Sequence, residues 1–179
     1  MISVIVNAAI GFLILILQST VLRGIAIGGV MPDLLLILTV CAAIVHGGRR
    51  GSLVGFIVGL MEDLLFFKVL GFYALIYMLI GYVSGYLTRN LSRSMILLPI
   101  GFCLVASLFA GLFQFVFLRF MSGDIRLGYY LRNLILPETI YTVLLGVVLY
   151  PLLILLNELT ERLDETAAEK RRLTRRIGS

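Results

Sequence analysis

Charge is scarce in this chain. Only 14% of its 179 residues are Asp, Glu, Lys or Arg, against 60% apolar, and the mean hydropathy is +1.07. That balance excludes an ordinary soluble domain of this size. Histidine is scarcer still. His46 is the only one, beside Gly47 at the end of an apolar run, and it reads as an interfacial residue and not as a catalytic base. No histidine-rich metal constellation can be drawn from it. Two cysteines, Cys41 and Cys103, both fall inside apolar segments. They read as buried reduced thiols, and no disulfide framework follows. The chain has no glycine-rich phosphate loop ending in Lys-Ser or Lys-Thr, and no G-x-S-x-G nucleophile. It has no sustained apolar–polar alternation, which argues against a transmembrane barrel. The first segment lacks a basic leader region and a small-residue cleavage site, so it is expected to stay as a span.

What the chain does have is long apolar runs. They predict an all-α, polytopic membrane bundle with about six spans, at 2–22, 32–46, 51–67, 69–88, 95–117 and 134–156. Residues 1–156 form one transmembrane domain and 157–179 a charged tail. The second span is short: residues 33–46 reach only about 20 Å as a helix, against about 30 Å of hydrocarbon. With the N-terminus inside, Arg49, Arg50, Arg89, Arg93 and six basic residues of the tail lie on the cytoplasmic side. Arg23, Lys68, Arg119, Arg126 and Arg132 lie outside. The asymmetry places both termini in the cytoplasm, and it rests on the tail. The net charge of +5 therefore reflects span flanks and tail, with no indication of nucleic acid. The segment 118–132 puts three arginines on the outer side. It is expected to be a short interfacial helix with Tyr129 and Tyr130 at the headgroups. In the tail, acidic residues from Glu158 to Glu169 precede basic ones from Lys170 to Arg176. This predicts a helix continuing out of the last span. Its basic end is either simply solvated or meets anionic membrane lipid or a cytoplasmic partner.

Within the third span, Gly51, Gly55, Gly59 and Asp63 recur every four residues, which puts them on one helical face. Glycine seams let backbones approach closely, so Asp63 should point into the bundle. The expected partners are Tyr73 or Tyr77, or Asn7 or Gln18, with Asp63 protonated and donating. Glu62 is turned about 100° away, so Glu62 and Asp63 do not make an acid–base pair on one face. Similar small or polar stripes mark the other spans: Ser3, Asn7, Gly11 and Gln18; Tyr73, Tyr77, Gly81 and Gly85; Cys103, Ser107, Gly111 and Gln114; Glu138, Thr142, Gly146 and Tyr150. Two spans open alike, with Pro-Asp at 32–33 and Pro-Glu at 137–138. Asp33 and Glu138 suit the positive end of a helix. Together with Arg119 and Arg126 they are also candidates for binding a partner. Pro151 should kink the last span.

The order "PDLLLIL", "GGRRG", "GFIVGLMEDLLF", "LGFYALIYMLIGYVSGYL" over residues 32–87 resembles the MreD family of rod shape-determining membrane proteins. Pro32, Asp33, Gly51, Gly55, Gly59, Leu60, Asp63, Gly71, Gly81, Tyr82 and Gly85 carry the resemblance, while the family pattern has an aliphatic residue at Glu62. The resemblance implies a non-enzymatic scaffold of cell-wall elongation without cofactor or metal. Its implied partners are MreC, and through it MreB filaments and the RodA–transpeptidase synthase, in the bacterial cytoplasmic membrane. It also implies a fold similar to the S components of energy-coupling factor vitamin transporters, which makes a small-molecule uptake subunit the alternative. The A-x-x-x-A docking motif of such subunits is missing: Phe12 and Leu13 stand four residues after Ala8 and Ala9.

Overall fold

A computed structural model describes residues 2–22, 30–66, 70–88, 97–122 and 127–177. Six helices carry almost all of these residues, and no strand occurs among them. Helix α1 spans Ile2–Leu17 and ends in a π-helical turn, Gln18–Leu22. Next come α2, Leu34–His46, and α3, Gly48–Phe66. These are followed by α4, Phe72–Thr88, and α5, Leu97–Ser122. A short helical turn, Leu127–Tyr130, and a π-helical turn, Leu131–Ile135, run straight into α6, Leu136–Ile177.

The short second span is the hub. Every residue of α2 from Leu34 to Val45 is buried, and α1, α3, α4, α5 and α6 all pack against it. Its sequence, LLLILTVCAAIV, is apolar on every side, as a helix enclosed all round requires. Asp33 caps its first turn by accepting the Leu36 N–H at 2.8 Å. A single residue, Gly47, separates α2 from α3. Gly47 has φ +81°, a left-handed conformation that a side chain disfavours, and its N–H closes on the Ala43 carbonyl at 2.9 Å. The chain thus reverses in one step.

Three helices are long and apolar enough to cross a membrane: those containing Ser3–Thr20, Pro99–Phe117 and Gly128–Leu159. Leu34–His46 and Phe72–Thr88 are shorter apolar helices, and α3 carries Arg49, Arg50, Glu62 and Asp63 along its length. The outward faces are strongly apolar. Ile5, Leu75, Val105 and Val148 are all more than half exposed, a surface that calls for a lipid environment.

The segment 118–132, expected as a short interfacial helix, is helical where it is described. Helix α5 continues to Ser122, and helix resumes at Leu127. Tyr129 is exposed, but Tyr130 is buried with its ring 5.3 Å from Phe115. Packing against α5 has captured one of the two tyrosines assigned to the headgroups. Helix α6 runs without interruption through Pro151 and on to Ile177, so the tail is helical as far as it is described.

Candidate functional site

Two features organise the polar residues. The first is the antiparallel pairing of α3 and α4. A methyl group on Gly51 would lie 3.0 Å from the Gly81 carbonyl oxygen, and one on Gly59 would lie 2.5 Å from that of Tyr73. Gly55 meets the Tyr77 carbonyl still more closely, and Gly85 sits 2.5 Å from the Gly48 nitrogen by the same measure. Each step of four up α3 meets a step of four down α4. Contact this close needs glycine on one side at every level.

The top of this ladder is Asp63, 1% exposed. It accepts the N–H groups of Gly71 at 3.0 Å, Tyr73 at 2.9 Å and Ala74 at 3.1 Å. The first N–H groups of a helix have no partner within it, and here a residue of the preceding helix supplies it. Gly71, at φ +97°, makes the turn that brings those groups round. Of the expected partners Tyr73 is one, through its backbone N–H, and Asn7 and Gln18 bond elsewhere. All three bonds are accepted, so no proton on Asp63 is needed to form them. Asn7 instead donates to the Ser3 carbonyl at 2.8 Å.

The second feature lies at the same end of the bundle and gathers residues from five elements. Tyr77 donates its hydroxyl to Asp33 Oδ2 at 2.6 Å. The Asp33 N–H donates to Thr142 Oγ1 on α6 at 2.9 Å. Gln18 Nε2 donates to the Pro32 carbonyl at 3.3 Å. Glu62 precedes Asp63 on α3 and is partly buried. Its Oε2 is buried and has no hydrogen-bond partner. Glu138 stands one helical turn before Thr142 on α6, so Asp33 and Glu138 share this end of the bundle although the sequence places them on different helices. Among the described residues no group of three or more His, Cys, Asp and Glu is arranged to hold a metal ion. Cys41 and Cys103 are buried free thiols.

The remaining candidates are separate. Arg119 is exposed in the last turn of α5, and Arg126 lies outside the described residues. On the lipid-facing side, α4 and α5 diverge around a groove of about 180 Å³ lined by Leu79, Ile80, Val83, Phe102, Val105 and Phe109. Sequence reasoning had no reason to single it out, because every residue in it belongs to an ordinary apolar face. Nor did it link Tyr77 to Asp33. The available signal was positional: Asp33 and Glu138 open their helices and the Glu62–Asp63 pair nearly closes its own, which puts all of them at one end of the bundle once the chain is threaded up and down.

Glycine-backed helix pairing, a fully enclosed short helix and an apolar exterior define a multi-pass helical membrane protein. Asp33, Asp63 and Tyr77 bond between helices, while hydroxyl and amide groups such as Asn7, Thr39 and Ser84 bond back to their own helix. Against known families the assignment is specific: the chain belongs to the family described as rod shape-determining protein MreD, whose model matches residues 1–159. No curated protein and no solved structure matches it. The family is one of shape-determining membrane proteins, which places this chain in the rod-shape system.

Proposed function

We propose that the chain is a non-enzymatic scaffold of the cell-wall elongation complex. In this reading it pairs with the single-span protein MreC and so links MreB filaments to the RodA–transpeptidase synthase. Both termini face the cytoplasm of a bacterial inner-membrane protein, and residues 157–179 form the cytoplasmic tail. The groove between α4 and α5 carries this reading. It opens sideways to lipid, it is lined almost wholly by apolar side chains, and it offers a transmembrane helix a concave, ring-edged surface. Asp33, Glu138, Arg119 and Arg126 belong to the end we assign to the partner's outer domain.

The test is a bulky residue on the exposed wall of the groove. Val105 is 64% exposed, so Val105→Trp leaves the bundle packing alone. Co-purification of the single-span partner should fall while expression and detergent stability hold. Unchanged co-purification removes the groove from the reading. A second reading, a substrate-binding subunit similar to transporter S components, draws support from the unpartnered buried oxygen of Glu62.

A further inference from the structure

The tight α3–α4 pair has two flanks. Val54 and Val58 on α3, with Ile76 and Ile80 on α4, are buried and mark the flank turned to the rest of the bundle. Phe56 falls midway between the two valines, and Met78 midway between the two isoleucines. Each is therefore turned to the opposite side of its helix, and each is exposed. This outer flank is an apolar strip along most of its length.

Its character changes where α3 begins. Arg49, seven residues before Phe56 and so on the same face, is exposed. Tyr82 and Tyr86 follow Met78 by four and eight residues, again on one face, and are 50% and 61% exposed. Their rings stack with centroids 6.2 Å apart and 13° between planes. Tyr82 leans towards the first turn of α3: a methyl group on Gly48 would lie 3.6 Å from its Cδ2, and Gly48 adjoins Arg49. A guanidinium and two phenols thus crown the strip. Tyrosines in that setting suit the membrane–water boundary, with ring in the apolar layer and hydroxyl among headgroups.

Among the described residues of α2, α3 and α4, no carboxylate stands at this end. Residues 30–88 contain three acids, Asp33, Glu62 and Asp63. Glu62 and Asp63 are about 20 Å along α3 from Arg49, and Asp33 opens α2 at a similar remove. Glu158 is on α6, which packs on α1, α2 and α5. The fitting guest is anionic at its head and apolar below. A free anion would meet the guanidinium and leave the strip uncovered. A phospholipid with an anionic headgroup covers both.

We propose that Arg49, Tyr82 and Tyr86 hold the phosphate of an anionic phospholipid, with its acyl chain lying along Phe56 and Met78. The guanidinium fork matches phosphate oxygens, and the tyrosine hydroxyls can donate beside it. Ile80, on the far side of α4 from Met78, lines the α4–α5 groove, so a lipid here and a helix there do not compete.

The test uses the full-length protein in detergent. Native mass spectrometry compares retention of phosphatidylglycerol and phosphatidylcholine offered in equal amounts. One cation beside an anionic headgroup supports about a fivefold preference for phosphatidylglycerol. Arg49→Gln should bring the ratio near one, and Tyr82→Leu combined with Tyr86→Leu should lower it. Arg132→Gln, at an exposed arginine outside these helices, should leave it unchanged. Equal retention by the unaltered chain overturns the proposal, and that comparison involves no variant that could misfold. A preference that survives in Arg49→Gln overturns it as well. A thermal-shift series adds inorganic phosphate, and stabilisation equal to that by phosphatidylglycerol would give the site to a free anion instead. Loss of the single-span partner from Arg49→Gln, with lipid retention intact, would give the flank to a protein.

Discussion

Asp33 and Tyr77 are 44 residues apart in the chain and 2.6 Å apart in the bundle. The Tyr77 side chain thereby ties the start of the central helix α2 to α4, while its backbone carbonyl lies against Gly55 on α3. One residue joins three helices. Tyr77→Phe keeps the ring and leaves Asp33 Oδ2 buried without that donor. Interhelical hydrogen bonds in membranes contribute about 0.6–2 kcal/mol, so we expect a lowered unfolding temperature with the fold retained. Thermal unfolding of the purified variant measures this, and an unchanged midpoint means that the bond adds nothing.

Asp63 makes a sharper distinction. Both of its oxygens accept from backbone N–H groups at the start of α4. Asp63→Asn swaps one acceptor for an N–H2 group that faces a donor. We therefore expect Asn to lose much of what Ala loses, about 1–3 kcal/mol for a buried donor left unsatisfied. Side-by-side unfolding of the two variants decides it. Full stability of Asp63→Asn would show that one oxygen suffices.

The glycines on the seam can be compared with one off it. A methyl group at Gly59 meets the Tyr73 carbonyl oxygen at 2.5 Å, whereas at Gly101 it meets nothing within 4 Å. Gly59→Ala should destabilise by roughly 1–3 kcal/mol, the usual range for overpacking. Gly101→Ala, in a helix and unobstructed, should be neutral or slightly stabilising. Equal effects of the two substitutions would remove the seam from the account.

The seam was legible in the sequence because its signal is local: Gly51, Gly55, Gly59 and Asp63 recur at the helical repeat. The all-α class was legible for the same reason, through the length and apolarity of the runs. The bonds of Asp63 were not. A carboxylate facing a helix interface and one capping the next helix share the same spacing, and only the turn at Gly71 separates them. The bonds of Asp33 were hidden too, since Tyr77 and Thr142 reach it only through the three-dimensional return of the chain. In 118–132 the helical character was legible, but the run of α5 to Ser122 and the packing of Tyr130 on Phe115 were not, since the charges of Arg119, Arg126 and Arg132 carry no signal of either contact.

Orientation is tested by chemical labelling. With Cys41 and Cys103 replaced, a Ser179→Cys variant in intact cells should resist a membrane-impermeant thiol reagent and react after permeabilisation. Strong labelling of intact cells would place the tail outside and reverse the bundle.

The account's central claim is that this chain works by holding other membrane proteins together. Affinity purification of the full-length protein from its native membranes, with identification of what accompanies it, tests that claim most directly. The account predicts a single-span protein with a large external domain, lost in Val105→Trp. Recovery of an ATPase pair with a transmembrane transducer would contradict it and make the chain a transporter subunit.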